Sequence, residues 1–196
     1  MKTAILAATL ASAAAFAPAP TGPKTTAMNS VWDSYVGGQD FKGGEWKWDP
    51  LKLSETYEPL VPFFREAELR HGRTAMLAVV GFIATDFVRL PGEAFSFESI
   101  PTTVGAHDAL TGTALQQVAM WIGVFDTIVT APAIAATMKG ERDAGDFGIK
   151  GPKNDPDGSK MKRKQVSELL NGRLAMMAVG GIATQSVLTG HGFPYL

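Results

Sequence analysis

The chain has 196 residues, 18 Lys and Arg against 19 Asp and Glu, a net charge of −1, 45% hydrophobic residues and no cysteine. A near-neutral balance gives no basis for nucleic-acid binding or an acidic substrate. The missing cysteines exclude disulfides, thiolate metal sites and thiol catalysis. The length suits one domain plus a targeting segment; the apolar residues fall in concentrated blocks, so their distribution decides the class.

Residues 1–15 carry a single charge, Lys2, then an apolar stretch and the small residues Ala13-Ala14-Ala15. This reads as a signal peptide. The competing reading, a first membrane helix, is weakened by the short Ala-rich run and by Pro18 and Pro20. Residues 16–30 are acid-free and hydroxyl-rich, like a transit peptide. The junction Ala15-Phe16-Ala17-Pro18 resembles the motif of bipartite plastid presequences in diatoms and other algae with secondary plastids. It places signal cleavage between Ala15 and Phe16, with a second cut near Ala27 or Met28. Residues 31–196 then form the mature domain. Its lead-in, 31–64, holds Gly37-Gly38, Gly43-Gly44, Trp32, Trp46 and Trp48 without periodicity,.

Three helices are predicted: about 63–89, ending before Pro91; about 110–130, ended or kinked by Pro132; and about 164–188, before Gly190,. A membrane span needs about 20 residues. The ion-free runs Thr74–Thr85 and Leu174–Leu188 fall short of that. They reach spanning length only with the charged turns before them, which requires those charges to be paired inside the bundle. The middle helix is the clearest span, because Asp126 is the one ionisable residue from Ala109 to Met138. Residues 139–164 hold eight Lys and Arg, and residues 90–109 hold none. Positive loops stay on the untranslocated side, so the N-terminus and the second loop share that side.

Two segments one hundred positions apart, 68–81 and 168–181, are identical at nine of fourteen positions. Each puts a Glu and an Arg at the mouth of an apolar helix. Each lone charge asks for a counter-ion, and the other copy can supply it. The expected fold is therefore an all-α membrane protein of three transmembrane helices, with the first and third crossed about a pseudo-two-fold axis. Glu68 would face Arg173, and Glu168 would face Arg73. Gly72 and Gly172, with the Ala and Val that follow, make a small-residue face that lets two helices approach closely.

Glu68-x-x-His71 places two donors on one helical face. A di-iron site would need a second Glu-x-x-His and further carboxylates; the second copy is Glu168-x-x-Asn171, and the middle helix has no Glu. Asn offers a carbonyl oxygen, an adequate donor to Mg²⁺. A purely structural ion-pair repeat with a hydrogen-bonded histidine accounts for the same residues. Gln117 is a further Mg²⁺ donor candidate, with Gln116 competing. Asp126 is open between ligand and water-facing residue. Gln185, seventeen after Glu168, is a polar group on an apolar span and needs a ligand or a helix partner,.

Glu-x-x-His/Asn-Gly-Arg in the first and third of three membrane helices resembles the signature of the light-harvesting chlorophyll-binding proteins, over roughly residues 45–190. The resemblance implies that Glu68 and Glu168 bind chlorophyll Mg²⁺ while pairing with Arg173 and Arg73. It implies that His71, Asn171, Gln185 and Gln117 are further axial ligands. Gln117-x5-Gly123-Val124-x-Asp126 is similar to an algal middle-helix pattern with Asp in place of Glu. Trp48-Asp49-Pro50-Leu51-Lys52-Leu53 resembles a segment that caps carotenoids, and Gly145-Asp146-Phe147-Gly148 its degraded second copy. His191 stands short of the family's C-terminal His ligand.

The presequence, short loops and helix-1 tail resemble the fucoxanthin chlorophyll a/c branch. Ala183-Thr184-Gln185 through Gly192-Phe193-Pro194-Tyr195 resembles forms accompanying photosystem I. The implied cofactors are chlorophyll a, chlorophyll c, fucoxanthin and diadinoxanthin or a related xanthophyll. The implied partners are other antenna subunits, a photosystem core and thylakoid lipids. The implied location is the plastid thylakoid membrane with a stromal N-terminus. The implied function is antenna rather than enzyme. Three rivals stand beside it. A photoprotective quencher of the same family would use lumenal acids such as Asp86, Glu93, Glu98 and Asp108 with His107. A metal-dependent membrane oxidoreductase would use Glu68 and His71. A pigment-free scaffold would use only the ion pairs.

Overall fold

The structure is a computed structural model that describes residues 35–38, 48–112, 114–149, 155 and 157–195. The signal peptide, the transit-like segment and their cleavage points lie outside the described residues. The chain divides into two compact units, Met1–Val61 and Pro62–Leu196. The described residues are helical, with no strand among them.

In the first unit, Asp49 organises a short helix, α1 (Leu53–Thr56). Its Oδ1 accepts the Leu53 N–H at 2.9 Å. Its Oδ2 accepts the Ser54 N–H at 2.9 Å and the Ser54 hydroxyl at 2.6 Å. Hydrogen bonds to the ionised form favour it, so the Ser54 bonds and then the Leu53 amide hold the Asp49 carboxyl below the usual carboxylate range.

The second unit contains α2 (Val61–Phe87) from its second residue on, with α3 (Gly105–Leu110), α4 (Ala114–Phe125), α5 (Ala131–Met138) and α6 (Ser159–Thr189). Helix α2 takes in Pro62 instead of starting after it, since a first-turn proline has no intrahelical N–H to lose. It ends at Phe87 rather than Arg89, where the chain turns toward Pro91 and Leu90 is disfavoured in α conformation,. Helix α6 begins at Ser159, five residues before its expected start. Lys and Arg are good helix formers, and the Asp155 carboxylate accepts the Met161 N–H at 2.7 Å. The charged run is thus helix and not loop.

The middle helix departs most from expectation. It does not begin near Leu110: α3 ends there, and α4 starts at Ala114. Nor does Pro132 end it. Residues Asp126–Thr130 form a π turn in which the Ala131 N–H reaches the Asp126 carbonyl, and α5 continues to Met138. The wider turn moves the register just ahead of the proline, so its missing N–H leaves no gap. Ala114–Met138 is the one described stretch long and apolar enough to cross a membrane by length and composition. Helices α2 and α6, with 27 and 31 residues, are roughly 40 and 46 Å long at 1.5 Å per residue,, but carry charged turns.

Few large apolar side chains are buried. Ile100, Leu169 and Ile182 are, whereas Leu77, Trp121, Ile128, Met177 and Leu188 are each at least 67% exposed. Apolar surface on this scale marks a partner or a lipid environment. At the far end of α2, Asp86 gathers the chain. It accepts the Thr103 hydroxyl at 2.5 Å and the Phe193 N–H at 2.8 Å. The Phe193 ring packs 5.8 Å from Phe87 and 5.9 Å, edge-on, from Tyr195. Tyr195 is buried, and burial, with the Asp86 carboxylate beside it, pushes its hydroxyl up to about 12.

Candidate functional site

Helices α2 and α6 meet at Gly72 and Gly172. A Cβ on Gly72 would stand 3.0 Å from the Gly172 Cα, and a Cβ on Gly172 would stand 3.0 Å from the Gly72 Cα. Only a residue without a side chain permits this approach. On either side of the crossing, Arg73 Nε donates to Glu168 Oε1 at 2.6 Å, and Arg173 Nε donates to Glu68 Oε1 at 2.8 Å. These are the two pairings the repeat implied. The side chains are 29–40% exposed. Exposure matches between copies at nine of the ten positions from His71 to Val80 and from Asn171 to Gly180.

His71 and Asn171 sit outside the crossing, exposed, each tied to its own helix one turn back. His71 Nδ1 lies 2.7 Å from the Ala67 carbonyl. A carbonyl only accepts, so Nδ1 carries a proton, and in the neutral imidazole Nε2 keeps its lone pair. Asn171 Nδ2 donates to the Ser167 carbonyl at 2.8 Å, which leaves Oδ1 as the outward atom. The two residues, chemically unlike, both present a lone pair beyond the helix surface on a tether that fixes its direction. That is the arrangement an axial metal ligand needs. Gln117 on α4 and Gln185 on α6 are also exposed, and their amides take no hydrogen bond among the described residues. No three His, Cys, Asp or Glu side chains converge as a metal site among the described residues.

The two Glu residues differ. Glu68 Oε2 also accepts from Arg65 Nη1 at 3.0 Å, so both of its oxygens are engaged. Glu168 Oε2 takes no partner among the described residues.

Several site residues were not anticipated. Glu66, 4% exposed, accepts the Gly145 N–H at 2.6 Å and the Arg142 guanidinium at 3.2 and 3.4 Å. Arg142 also donates to the Thr137 hydroxyl at 2.8 Å and the Ala133 carbonyl at 3.1 Å. Arg73 Nη2 donates to the Gly145 carbonyl at 3.0 Å. The guanidiniums of Arg142 and Arg73 lie 4.7 and 5.7 Å from the Phe147 ring centre, within cation–π reach. The Gly145-Asp146-Phe147-Gly148 motif thus anchors the loop to the crossing. Gly145 has φ +76°, and a Cβ there would come 2.6 Å from the Leu69 side chain, so only glycine suits it.

Asp126 is ion-paired, with its side chain 36% exposed. It accepts from Arg70 Nη2 at 2.5 Å and from the Thr130 hydroxyl at 3.1 Å. The usable signal was the break in the repeat: Arg65, Glu66 and Arg70 stand where the second copy has Gln165, Val166 and Leu170.

The family model for chlorophyll A-B binding protein matches residues 33–187. The chain is 35% identical over 188 residues to fucoxanthin-chlorophyll a-c binding protein A, chloroplastic, of Phaeodactylum tricornutum, across 91% of this chain and 92% of that protein. It is 34% identical over 192 residues to protein F of the same organism, with the same coverage. It is 33% identical over 205 residues to the fucoxanthin-chlorophyll a-c binding protein of Trieres chinensis, across 97% and 96%.

Proposed function

The chain belongs to the chlorophyll a-b binding protein family, and from that premise we propose that it is a light-harvesting antenna subunit, not an enzyme. It holds chlorophylls a and c and fucoxanthin-type carotenoids, diadinoxanthin or a related xanthophyll among them. It passes excitation to a photosystem core and packs against other antenna subunits and thylakoid lipids. The observation that carries this reading is the crossed Glu/Arg pair flanked by His71 and Asn171, each tethered with its lone pair outward.

The residues fit the pigment. The imidazole of His71, the carbonyl of Asn171 and the arginine-paired carboxylates of Glu68 and Glu168 would hold chlorophyll Mg²⁺, each offering a donor of the kind it takes. Gln117 and Gln185 would be the remaining donors. The Asp49 segment is the carotenoid-binding element of the first unit in this reading. Once bound, the pigments absorb and transfer light energy; the protein's part is to fix their spacing and tune their surroundings.

In this reading α2, Ala114–Met138 and α6 cross the thylakoid membrane, α2 and α6 about a pseudo-two-fold axis, with the N-terminus and the basic 139–164 segment in the stroma. Residues 1–30 direct the chain to a plastid. The resemblance of the third helix and C-terminus to photosystem I-associated forms supports photosystem I as the core served.

The test is a fluorescence excitation spectrum of the isolated protein, read at chlorophyll a emission. Chlorophyll c and fucoxanthin bands in that spectrum are expected. Bound pigment with strongly shortened emission would replace harvesting by quenching, and a folded preparation without pigment would sink the reading. Co-purification with photosystem II and not photosystem I would overturn the choice of core.

A further inference from the structure

The two carboxylates of the crossed pair are equivalent in the repeat but not in their surroundings. Glu68 is gripped from two sides: Arg173 Nε takes Oε1 at 2.8 Å, and Arg65 Nη1 takes Oε2 at 3.0 Å. Glu168 is held from one side, by Arg73 Nε at 2.6 Å on Oε1, and its Oε2 has no partner among the described residues. Arg65 lies three residues before Glu68, and its side chain is 12% exposed. The residue three before Glu168 is Gln165, exposed and uncharged. The hundred-residue repeat is therefore broken at the neighbour that touches Glu68 Oε2.

This matters chemically. A charge-assisted bond draws electron density from the carboxylate oxygen it engages, and outer partners of a metal ligand tune its donor strength. With Arg65 present, guanidiniums engage both oxygens of Glu68; at Glu168 a guanidinium engages one.

Resting on the reading of both Glu residues as chlorophyll ligands, we propose that Arg65 is a positioning residue that makes the two crossed-pair chlorophylls unequal. It weakens Glu68 as an axial donor and places a cation beside the Glu68 chlorophyll. The Glu168 chlorophyll has a full carboxylate oxygen to itself. The two pigments then differ in energy and in how firmly they are held, which gives direction to transfer within a symmetric frame.

Four full-length pigment-loaded variants test this, compared with the parent by pigment stoichiometry, low-temperature absorption and circular dichroism, and the order of chlorophyll release on heating. Arg65→Gln copies the second repeat into the first. It should keep full pigment content, move the band of one chlorophyll and delay that chlorophyll's release. Arg65→Lys, which keeps the cation, should return the band toward its parental place. Gln165→Arg makes the reciprocal change and should move the band of a different chlorophyll. Glu68→Ala, which leaves no donor at that position, identifies which band belongs to Glu68. Superimposable spectra and release curves for Arg65→Gln, with Glu68→Ala losing one chlorophyll, would overturn the proposal and leave the ligand reading standing. Pigment loss in Arg65→Gln would show Arg65 holding the site together instead, and would also overturn it. Full pigment in Glu68→Ala would remove the ligand reading on which the proposal stands.

Discussion

Gly72 and Gly172 stand against each other with reciprocal clearances of 3.0 Å between a Cβ on either and the Cα of the other. The atom that a side chain would strike is backbone, which cannot rotate away. Gly72→Ala therefore has to push α2 and α6 apart, and the same displacement stretches both Arg–Glu pairs beside the crossing. Overpacking of this kind destabilises by about 1–3 kcal/mol. The expected result is a lower melting temperature of the pigment-loaded protein with loss of crossed-pair chlorophyll. Gly172→Ala should match it, and the double variant should fall short of the sum, because one separation relieves both clashes. Unchanged melting in either single variant would mean that the helices do not approach this closely.

Arg73 joins more than its ion pair: it donates to Glu168, donates to the Gly145 carbonyl and lies over Phe147. Arg73→Leu strands the Glu168 carboxylate. A fully buried pair stripped of one partner costs roughly 3–5 kcal/mol; with both side chains 34% exposed, the loss should be about 3 kcal/mol or less. Assembly yield should drop and at least one chlorophyll should be missing from the purified protein. Full pigment content in a folded Arg73→Leu preparation would remove the crossed pair from the assembly argument.

The crossed pair could be read in advance because it is written twice. Identical residues a hundred positions apart name each other as partners, and an unpaired charge on an apolar helix leaves no other economical solution. The middle helix had no such copy. What fastens it to α2 are the two places where the repeat breaks, Arg70 to Asp126 and Glu66 to Arg142, and a comparison that looks for identity discards those positions. Arg142 was one of eight cations in a loop, and nothing local separates it from its neighbours. Pro132 misled in another way. The cost of a proline depends on the register of the turn before it, and a π turn ending at Thr130 leaves no mark in hydropathy. The early start of α6 was hidden because a charged run reads as solvated, whether it is helix or loop.

Glu66 gives the sharpest test of the middle-helix fastening. It is nearly fully buried and faces Arg142, whose side chain is 15% exposed. Glu66→Gln leaves the Arg142 cation without its counter-charge and weakens the grip on the Gly145 N–H. The expected destabilisation is about 3–5 kcal/mol, with faster hydrogen exchange across residues 139–148 and selective loss of pigment held by the middle helix. Arg142→Leu should produce the same pattern, and the double variant should be less harmful than the sum. Equal pigment losses from all three helices would mean that Glu66 supports the bundle as a whole and not this junction.

His71 belongs to no ion pair, so His71→Ala separates ligation from folding. It removes one lone-pair donor and a tether to the Ala67 carbonyl, and leaves both Arg–Glu bonds in place. Loss of about one chlorophyll, with the melting temperature changed far less than by Arg73→Leu, is the expected outcome. His71→Asn copies the donor of the second repeat and should recover much of that chlorophyll. An unaltered pigment count in His71→Ala would return His71 to a purely structural role.

The Asp49 cap provides a test by pH, away from the spans. Its carboxyl is held below the ordinary value by the Ser54 and Leu53 bonds, so the charged form is the one the folded segment prefers. The stabilisation is present above the ordinary carboxylate value and is lost as pH falls through the lowered one. Protonation removes the acceptor for the Leu53 and Ser54 amides, and the first turn of α1 should fray. Hydrogen exchange at those two amides, corrected for intrinsic rate, should therefore accelerate on acidification and recover on return to neutral pH. Asp49→Ala should show the fast exchange at every pH, while Asp49→Asn, which keeps one acceptor oxygen, should lie between the two and lose the pH dependence. Protection that stays flat with pH in the parent chain would mean that the carboxylate does not hold α1.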